Sequence, residues 1–258
     1  MTSFIDLPPE IIFKIGELTP ESFISIRSIN RDFRNYSKNH INQYKEKFSK
    51  EVIEKSNLTI TKYYVLPNGD KHGLYETRDN GGNLIVKCIY KNGEKNGLYE
   101  KWNVNGKLSK RVEYKNNKKH GLYEKFYANG DLLTSAEFIN GIAYGTNKMW
   151  YIGGRLLMEA LIINGKKESL YRKWHDNGQL SEICTFLNGK KNGLYLSFHE
   201  NGNLFSMYIF KNDRRKGEHR SYYPNGILHE YCFYKNNKRK GPYIQCSPNG
   251  DISKMEIK

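Results

Sequence analysis

The chain has 258 residues, of which 38% are hydrophobic and 14% aromatic, and its formal net charge is +15. The aromatic content excludes an intrinsically disordered chain, and the length allows one or two domains with a buried core. Residues 1–57 contain 9 basic and 8 acidic side chains, whereas the remainder contains 33 and 19. The positive charge therefore belongs to the second part of the chain.

Neither a membrane span nor a secretory signal is visible in the sequence. No stretch approaches the roughly 18 apolar residues that a spanning helix requires. The N-terminus, MTSFIDLPPE, lacks a basic region followed by an apolar block. The four cysteines have no CxxC spacing, so they indicate an intracellular, reducing compartment.

The first 57 residues carry the signals of short helices. Pro-Pro-Glu at residues 8–10 and Thr-Pro-Glu at residues 19–21 are typical of helix starts. Apolar residues at helical spacing follow each of them. We predict a helical segment over residues 1–39 and a linking amphipathic helix over residues 40–57. The apolar face of that last helix consists of Ile41, Tyr44, Phe48 and Val52.

From residue 58 the sequence repeats every 24 residues. One glycine begins each repeat, at 73, 97, 121, 145, 193, 217 and 241, and Ser169 takes the single missing slot. A second series follows nine residues later, from Gly82 to Gly250, and a third slot holds Gly, Asn or Asp directly after an Asn. These residue types tolerate positive φ, so two tight turns recur in each repeat.

The residues between the turns alternate as β-strands do. In the segment LSKRVEY, Leu108, Val112 and Tyr114 share one face and the polar residues take the other. Each repeat is therefore one β-hairpin, and the chain predicts a mainly β fold, an elongated antiparallel hairpin array. With strands about 4.8 Å apart, each repeat advances about 10 Å, and eight repeats extend over about 80 Å.

Two loop geometries are open for the first strand of each repeat. A two-residue loop at Asn105-Gly106 places Tyr99 on the face of Val112. A three-residue loop with the glycine in the left-handed region instead joins Leu98, Trp102, Leu108 and Val112 in one apolar face. We favour the second, in which a tyrosine row lies on the other face, either as a stacking ladder or as a binding surface. The row consists of Tyr75, Tyr99, Tyr123, Tyr171, Tyr195 and Tyr243.

The form G-L-Y-E-K-W-x-x-N-G-x-L followed by Y-K-N-G-K-K-N-G resembles the MORN repeat, in the variant found in bacterial antitoxin-like and giant-virus proteins. The resemblance covers residues 58–258, with repeats one to eight starting near 73, 97, 121, 145, 169, 193, 217 and 241. It implies a curved array that binds and scaffolds, with phospholipid contact proposed for some members, and no catalysis. Repeat four departs most, with Thr146-Asn147 for Leu-Tyr, and repeat seven has Glu218-His219.

The N-terminal segment resembles an F-box. Leu-Pro-x-Glu-Ile-Ile from residue 7, Leu-x-Pro from residue 18 and Ile-Arg-Ser-Ile-Asn-Arg-x-Phe-Arg from residue 26 carry the resemblance. It implies docking on the Skp-type adaptor of a Skp–cullin–F-box ubiquitin ligase; the alternative is a helical cap that seals an edge strand. An F-box joined to this repeat resembles proteins of giant viruses of amoebae, which implies the host cell cytoplasm. The adaptor-binding positions are Leu7, Pro8, Ile11, Ile12, Ile15, Ile29 and Arg31.

The sequence offers no catalytic, metal or cofactor motif. His175 and His199 occupy the same slot of adjacent repeats, about 10 Å apart, which is too far for two ligands of one zinc ion. Cys184 and Cys232 lie two repeats apart and are expected to be small core residues. The glycines open no helix, and GxSxG and HExxH are absent. We predict a non-enzymatic protein without metal or cofactor.

The hairpin turns at one end of the repeats are rich in Lys and Arg, and we expect them to stack into one basic ridge. The ridge either binds an acidic partner, such as phospholipid head groups, or only keeps the turns soluble. Nucleic acid is the less favoured partner, and no sequence preference is expected for it, because the ridge offers point charges and no recognition helix. The ridge residues are Lys118, Lys119, Lys166, Lys167, Lys190, Lys191, Arg214, Arg215, Lys238, Arg239 and Lys240.

These observations together predict a monomeric interaction adaptor. The N-terminal helices are expected to bind a Skp-type protein, and the repeats to hold an unidentified protein target for ubiquitination. The alternative is a scaffold that binds anionic phospholipid membranes or nucleic acid through the basic ridge, with the helices as a structural cap.

Overall fold

The computed structural model describes residues 49–256, and this range contains eighteen β-strands and no helix. The mainly β, antiparallel hairpin-repeat fold is thereby confirmed. Within these residues no helix has the length and apolarity to cross a membrane. The strands are β1 Lys50–Lys55, β2 Thr59–Val65, β3 Lys71–Asp79, β4 Leu84–Lys91, β5 Glu94–Trp102, β6 Leu108–Lys115, β7 Lys118–Phe126, β8 Leu132–Ile139, β9 Ile142–Trp150, β10 Leu156–Ile163, β11 Lys166–Trp174, β12 Leu180–Leu187, β13 Lys190–Phe198, β14 Leu204–Lys211, β15 Arg214–Tyr222, β16 Leu228–Lys235, β17 Lys238–Cys246 and β18 Ile252–Glu256.

The chain divides into two compact units, with the boundary after Tyr99, inside β5. Within each unit the strands pair antiparallel and in chain order. In the first unit β1 pairs with β2, β2 with β3 and β3 with β4. In the second unit every consecutive pair from β6 to β18 is hydrogen-bonded in the same way. Each unit is therefore a meander of hairpins.

Two kinds of hairpin connection alternate along the chain, as the glycine series predicts. The short kind is a two-residue turn such as Asn140-Gly141, in which φ is +51° and +88°. The long kind is closed by the Tyr127 N–H, which donates to the Asp131 carbonyl at 2.8 Å. Three residues lie between them, and the last, Gly130, has φ of +94°. The favoured three-residue loop with a left-handed glycine is therefore confirmed.

A β-bulge beside each long loop changes which side chains share a face. In the β7–β8 hairpin the register shifts by one between Lys125 and Phe126, so Tyr123, not Leu122, lies opposite Ala136. A one-residue slip moves all the side chains of a strand to the other face. The prediction that the tyrosine row lies away from the small apolar residues is therefore wrong.

The glycine that begins each repeat lies inside a strand. Gly121 has φ of +82°, and the register of β6 on β7 shifts directly after the Val112–Tyr123 pair. Ser169 holds the equivalent place with φ of +58°. This glycine series therefore marks a second bulge in each repeat, and the other two series mark the turns.

The buried core is a set of small side chains that alternate with the tyrosines. Val112 and Cys232 are completely inaccessible to solvent. Small side chains leave room for the rings on both neighbouring strands; Tyr171, for example, lies opposite Ala160 on one side and Cys184 on the other. The prediction that Cys184 and Cys232 are core residues is confirmed. The set consists of Cys88, Val112, Ala136, Ala160, Cys184 and Cys232.

Within each unit, hydrogen bonds at both hairpin ends join one repeat to the next. At the long loops, Asn177 Nδ2 donates to the Glu200 carbonyl at 2.7 Å. At the short turns, the Gly189 N–H donates to the Lys167 carbonyl at 2.9 Å. Equivalent bonds recur along the chain, so stability is a sum of nearest-neighbour contributions, as in other repeat proteins.

The linking helix predicted for residues 40–57 is corrected in its described part. Lys50–Lys55 forms β1, in which Val52 lies opposite Tyr63 of β2. The β-branched pair Val52-Ile53 favours a strand, and β1 covers the backbone of β2, which is otherwise an open edge. Residues 40–48 and the helical segment predicted for 1–39 lie outside the described residues.

Candidate binding surface

Each tyrosine of the row is covered by the basic side chain four residues before it. Lys119 Nζ lies 4.5 Å from the centre of the Tyr123 ring and 4.7 Å from that of Phe138. The two rings meet edge to face, with their centres 5.9 Å apart. A cation above an aromatic face is attracted by the ring quadrupole. We call this set of a cation, a tyrosine and a second ring the cation–aromatic cluster.

The cluster recurs in repeats five and six. Lys167 Nζ lies 4.3 Å from the centre of Tyr171, and Lys191 Nζ lies 4.5 Å from that of Tyr195. The second rings are Phe186 and Phe210. The other tyrosines of the row make the same cation–ring contact: Lys71 lies over Tyr75, Lys95 over Tyr99 and Arg239 over Tyr243.

Burial acts on the phenols of repeats five and six. It raises the pKa of Tyr171 and of Tyr195 to about 12, and the Glu182 carboxylate acts in the same direction. These two phenols are therefore neutral at physiological pH, and a neutral phenol retains the ring quadrupole that attracts a cation.

The basic turn residues do not form the single ridge predicted from the sequence. In the pair Lys118-Lys119 the first side chain is exposed at the turn, and the second is half-buried over a tyrosine. Successive residues of a strand point to opposite faces, which separates the pair. The ring-covering members are Lys119, Lys167, Lys191, Arg215 and Arg239. The exposed turn members are Lys118, Lys166, Lys190, Arg214, Lys238 and Lys240.

A basic groove of about 610 Å³ lies at the turn end of repeats six and seven. Five of its seven lining residues are cationic and none is acidic, so it concentrates positive potential. We call it the basic groove. Its lining residues are Lys190, Lys211, Asn212, Arg214, Lys216, Lys235 and Asn236.

An aromatic groove of about 430 Å³ opens on the tyrosine side of repeats five to seven. The cations Lys191 and Arg215 lie in its wall, and a buried hydroxyl pair, Ser197 Oγ and Ser206 Oγ at 2.6 Å, contributes to its lining. Rings and Arg side chains are enriched at protein interfaces, because they bury much area and lose little entropy. The aromatic residues of this aromatic groove are Tyr195, Phe198, Phe205, Tyr208 and Phe210.

The opposite face of the strands has a different chemistry. Arg111 lies 3.1 Å from Glu100 and 3.6 Å from Glu124, and Leu122 is 40% exposed. Exposed ion pairs contribute about 0–1 kcal/mol each. This face is thus solvated, and the tyrosine side carries the burial.

His175 and His199 have a structural role. Their Nε2–H groups donate to the carbonyls of Phe198 and Tyr222, each at 2.9 Å. Three tyrosine hydroxyls at equivalent loop positions make the same link to the next repeat, from Tyr127, Tyr151 and Tyr223. The sequence did not predict this link, although the shared slot of the two histidines was visible in it.

The remaining sequence predictions concern the N-terminus. The F-box-like positions Leu7, Pro8, Ile11, Ile12, Ile15, Ile29 and Arg31 lie outside the described residues and stay a prediction.

Repeat seven contains a cluster that the sequence did not predict: the possible metal-ligand atoms of His219, Glu230 and Cys232 lie close together.

Five segments of the chain match the MORN repeat variant: residues 71–92, 119–140, 167–188, 191–212 and 215–236. Each segment begins at a ring-covering basic residue. The predicted MORN-type repeat is confirmed in these segments. In these five segments the β-hairpin repeats match the MORN repeat variant, which is consistent with a protein-interaction or binding scaffold.

Among solved structures, the chain is similar to TarM, at 17% identity and a TM-score of 0.26, over 52% of this chain and 23% of that one. A TarM mutant from S. aureus in complex with Fondaparinux, alpha-GlcNAc-glycerol and UDP is similar at 16% identity, with the same TM-score and coverage. The chain thus spans less than a quarter of those proteins, and a TM-score this low supports no conclusion. No curated protein matches the chain.

Proposed function

We propose that the protein is a non-enzymatic interaction adaptor, in which the aromatic groove binds a protein target and the N-terminal segment binds a Skp-type adaptor of a ubiquitin ligase. The aromatic groove is the observation that carries the first part. The F-box-like residues from Leu7 to Arg31 support the second part. In this proposal the protein acts as a monomer in the cytoplasm of a host cell.

The chemistry of the aromatic groove indicates the kind of target. Phe205 is 47% exposed, so it is available as an apolar contact. Two cations, Lys191 and Arg215, and one carboxylate, Glu182, line the same groove, and the excess of positive charge favours carboxylates beside the apolar contact. We therefore expect a target segment that combines a large apolar side chain with neighbouring acidic residues.

Co-precipitation with a purified Skp-type adaptor tests the ligase part. The parent protein is expected to recover the adaptor, and a Leu7→Ala/Pro8→Ala variant is expected to lose it. Phe205→Ala is the matched control, because it alters the aromatic groove and should leave adaptor recovery unchanged. If the parent recovers no adaptor, or if the double variant recovers as much as the parent, the ligase proposal fails.

Binding of an anionic phospholipid surface is the second candidate function, and the basic groove favours it. This groove places Lys190, Arg214 and Lys235 around one opening without a carboxylate in its lining. A surface contact of this kind depends on charge alone, so it weakens steeply as salt rises from about 50 to about 200 mM.

Vesicle flotation distinguishes this second function. A Lys190→Glu/Arg214→Glu/Lys235→Glu variant should lose binding to vesicles that contain anionic phospholipid, at low salt. The control variant, Lys118→Glu/Lys166→Glu, reverses exposed turn lysines outside the basic groove and should bind nearly as the parent does. Equal binding by the groove variant and the parent contradicts a lipid-binding groove.

A further inference from the structure

Repeat seven places a histidine where the other repeats of the row have a tyrosine. His219 of β15 lies opposite Cys232 of β16, and Ser221 lies opposite Glu230. Residues two apart on a strand share a face, so Glu230 and Cys232 lie on the same side as His219. One hairpin therefore brings an imidazole, a carboxylate and a thiol together.

The three side chains are close enough to share one ion. Their ligand atoms all lie within 4.8 Å of one another. The Cys232 thiol donates to Glu230 Oε1 at 3.5 Å. Tetrahedral zinc holds its ligands at about 2.0–2.3 Å, which places two ligand atoms about 3.5 Å apart. Rotation of the half-buried Glu230 side chain can shorten the longer of these distances to that spacing.

The His219 ring is already oriented by its surroundings. Its Nδ1 lies 3.1 Å from the Met207 carbonyl. A carbonyl only accepts, so Nδ1 carries the proton and Nε2 keeps the lone pair that a metal requires. The ring is stacked on Tyr208, with the ring centres 4.1 Å apart at an angle of 14°. Metal-bound histidines commonly donate their other N–H to a backbone carbonyl in this way.

We propose that His219, Glu230 and Cys232 form a binding site for a divalent transition-metal ion, zinc in particular. On binding, the Cys232 thiol releases its proton to solvent, and the thiolate, the carboxylate and the neutral imidazole coordinate the ion. The two anionic ligands balance its two positive charges. Thiolate and imidazole select zinc over magnesium and calcium, which prefer oxygen ligands. The fourth position is open to water or to a donor from a partner.

Repeat five provides a matched comparison within the same chain. It has Glu182 and Cys184 at the equivalent positions, with Tyr171 in the place of His219. Zinc is bound by thiolate, imidazole and carboxylate groups, and the Tyr171 phenol is none of these. The histidine therefore distinguishes the repeat that binds metal from the one that does not.

Titration of the full-length protein with Co²⁺, followed by absorption, tests the site. The parent is expected to show a thiolate-to-cobalt charge-transfer band and tetrahedral visible bands at one equivalent, and Zn²⁺ should abolish both. His219→Ala and Cys232→Ser should remove the bands, and Cys184→Ser and Glu182→Gln should retain them. Glu230→Gln keeps the shape of a half-buried side chain, and we expect it to weaken Co²⁺ binding at least about tenfold.

Any one of four results would overturn this proposal. The first is the absence of a thiolate band in the folded parent. The second is a band that persists in Cys232→Ser, and the third is a band lost in Cys184→Ser. Because Cys232→Ser alters a buried side chain, unchanged Co²⁺ affinity in the folded Glu230→Gln variant counts equally against a three-ligand site.

Discussion

Repeats three and four have similar strands but differ at every position of the cation–aromatic cluster. Repeat three has Lys119 over Tyr123 and Phe138. The equivalent residues of repeat four are Ala143, Asn147 and Ile162. All three residues differ. A cation without a ring to cover gains little interaction energy, and a ring without its neighbours loses the ring–ring and cation–ring contacts. We therefore expect the three residues of repeat three to act as one packing unit.

The replacement leaves repeat four with an unpaired polar group. Asn147, which lies opposite Ala160, has a buried Oδ1 without a hydrogen-bond partner within the described residues. An unsatisfied buried acceptor costs about 1–3 kcal/mol. Because of this cost and the missing cluster, we expect repeat four to open first.

The long loop of repeat four differs as well. The Gly153 N–H donates to Asp131 Oδ2 at 2.8 Å, and this bond lowers the pKa of Asp131.

The largest effect is expected when repeat three is made like repeat four. Tyr123→Asn removes a ring packed between Val112 and Ala136 and should lower the free energy of unfolding by about 3 kcal/mol. Leu122→Thr copies the neighbouring difference on the solvated face and should change it by about 0.5 kcal/mol. Urea denaturation of both variants measures the contrast. Equal losses would show that the two faces contribute alike.

The reverse graft should strengthen repeat four. Ala143→Lys, Asn147→Tyr and Ile162→Phe together rebuild the cluster and remove the unpaired amide, which should stabilise the protein by about 2 kcal/mol. Ile162→Phe alone should destabilise it, because Ile162 is 7% exposed and the extra volume has no partner ring. The free energies of unfolding of the seven single, double and triple variants, measured by denaturation, give the coupling energy between the three substitutions. Additive effects would contradict a cluster that acts as one unit.

The bulge position provides a smaller contrast. Ser169 has φ of +58°, where Gly121 and Gly145 have φ of +82° and +77°. A side chain in the left-handed region costs about 1 kcal/mol, so Ser169→Gly should raise the free energy of unfolding by about that amount. Gly145→Ser should lower it similarly. Thermal unfolding of both measures the effect, and a loss of stability in Ser169→Gly would contradict the assigned backbone.

The smallest effect separates the two members of a basic pair. Lys119→Gln removes the cation over Tyr123 and should cost about 0.5 kcal/mol, whereas Lys118→Gln, at the exposed turn, should be neutral. Both variants lose the same charge, so the difference between their denaturation midpoints isolates the ring contact. Identical midpoints would favour the single ridge that the sequence predicted.

The sequence was sufficient to predict the hairpins, but it was insufficient to predict which side chains share a face of the sheet. Asn-Gly turns and left-handed glycines are local signals, so the strands and loops followed from them. The β-bulges at Gly121 and beside Phe126 depend on hydrogen-bond register, which a 24-residue spacing does not reveal. The wrong face assigned to the tyrosine row followed from the missing shift beside Phe126, whereas the single basic ridge was wrong because successive strand residues alternate between faces.

The metal-binding proposal illustrates the same limit. His219 was visible as a departure from the repeat, but its significance depends on the register that sets it opposite Cys232. The histidine slot that repeats in the sequence, that of His175 and His199, instead donates to backbone carbonyls. The convergence of side chains from two strands on one point can be predicted only once the strand pairing is known.

In this structure the tyrosines share a face with the small buried residues. Nuclear Overhauser contacts from the Val112 methyl groups, in protein with selectively labelled methyls and tyrosine rings, test this arrangement. Val112 lies opposite Tyr123, so directly paired side chains should be about 5 Å apart. We predict contacts from Val112 to the Tyr123 ring and none to the Leu122 methyls. Contacts to Leu122 without contacts to Tyr123 would show that Leu122, and not Tyr123, shares the face of Val112.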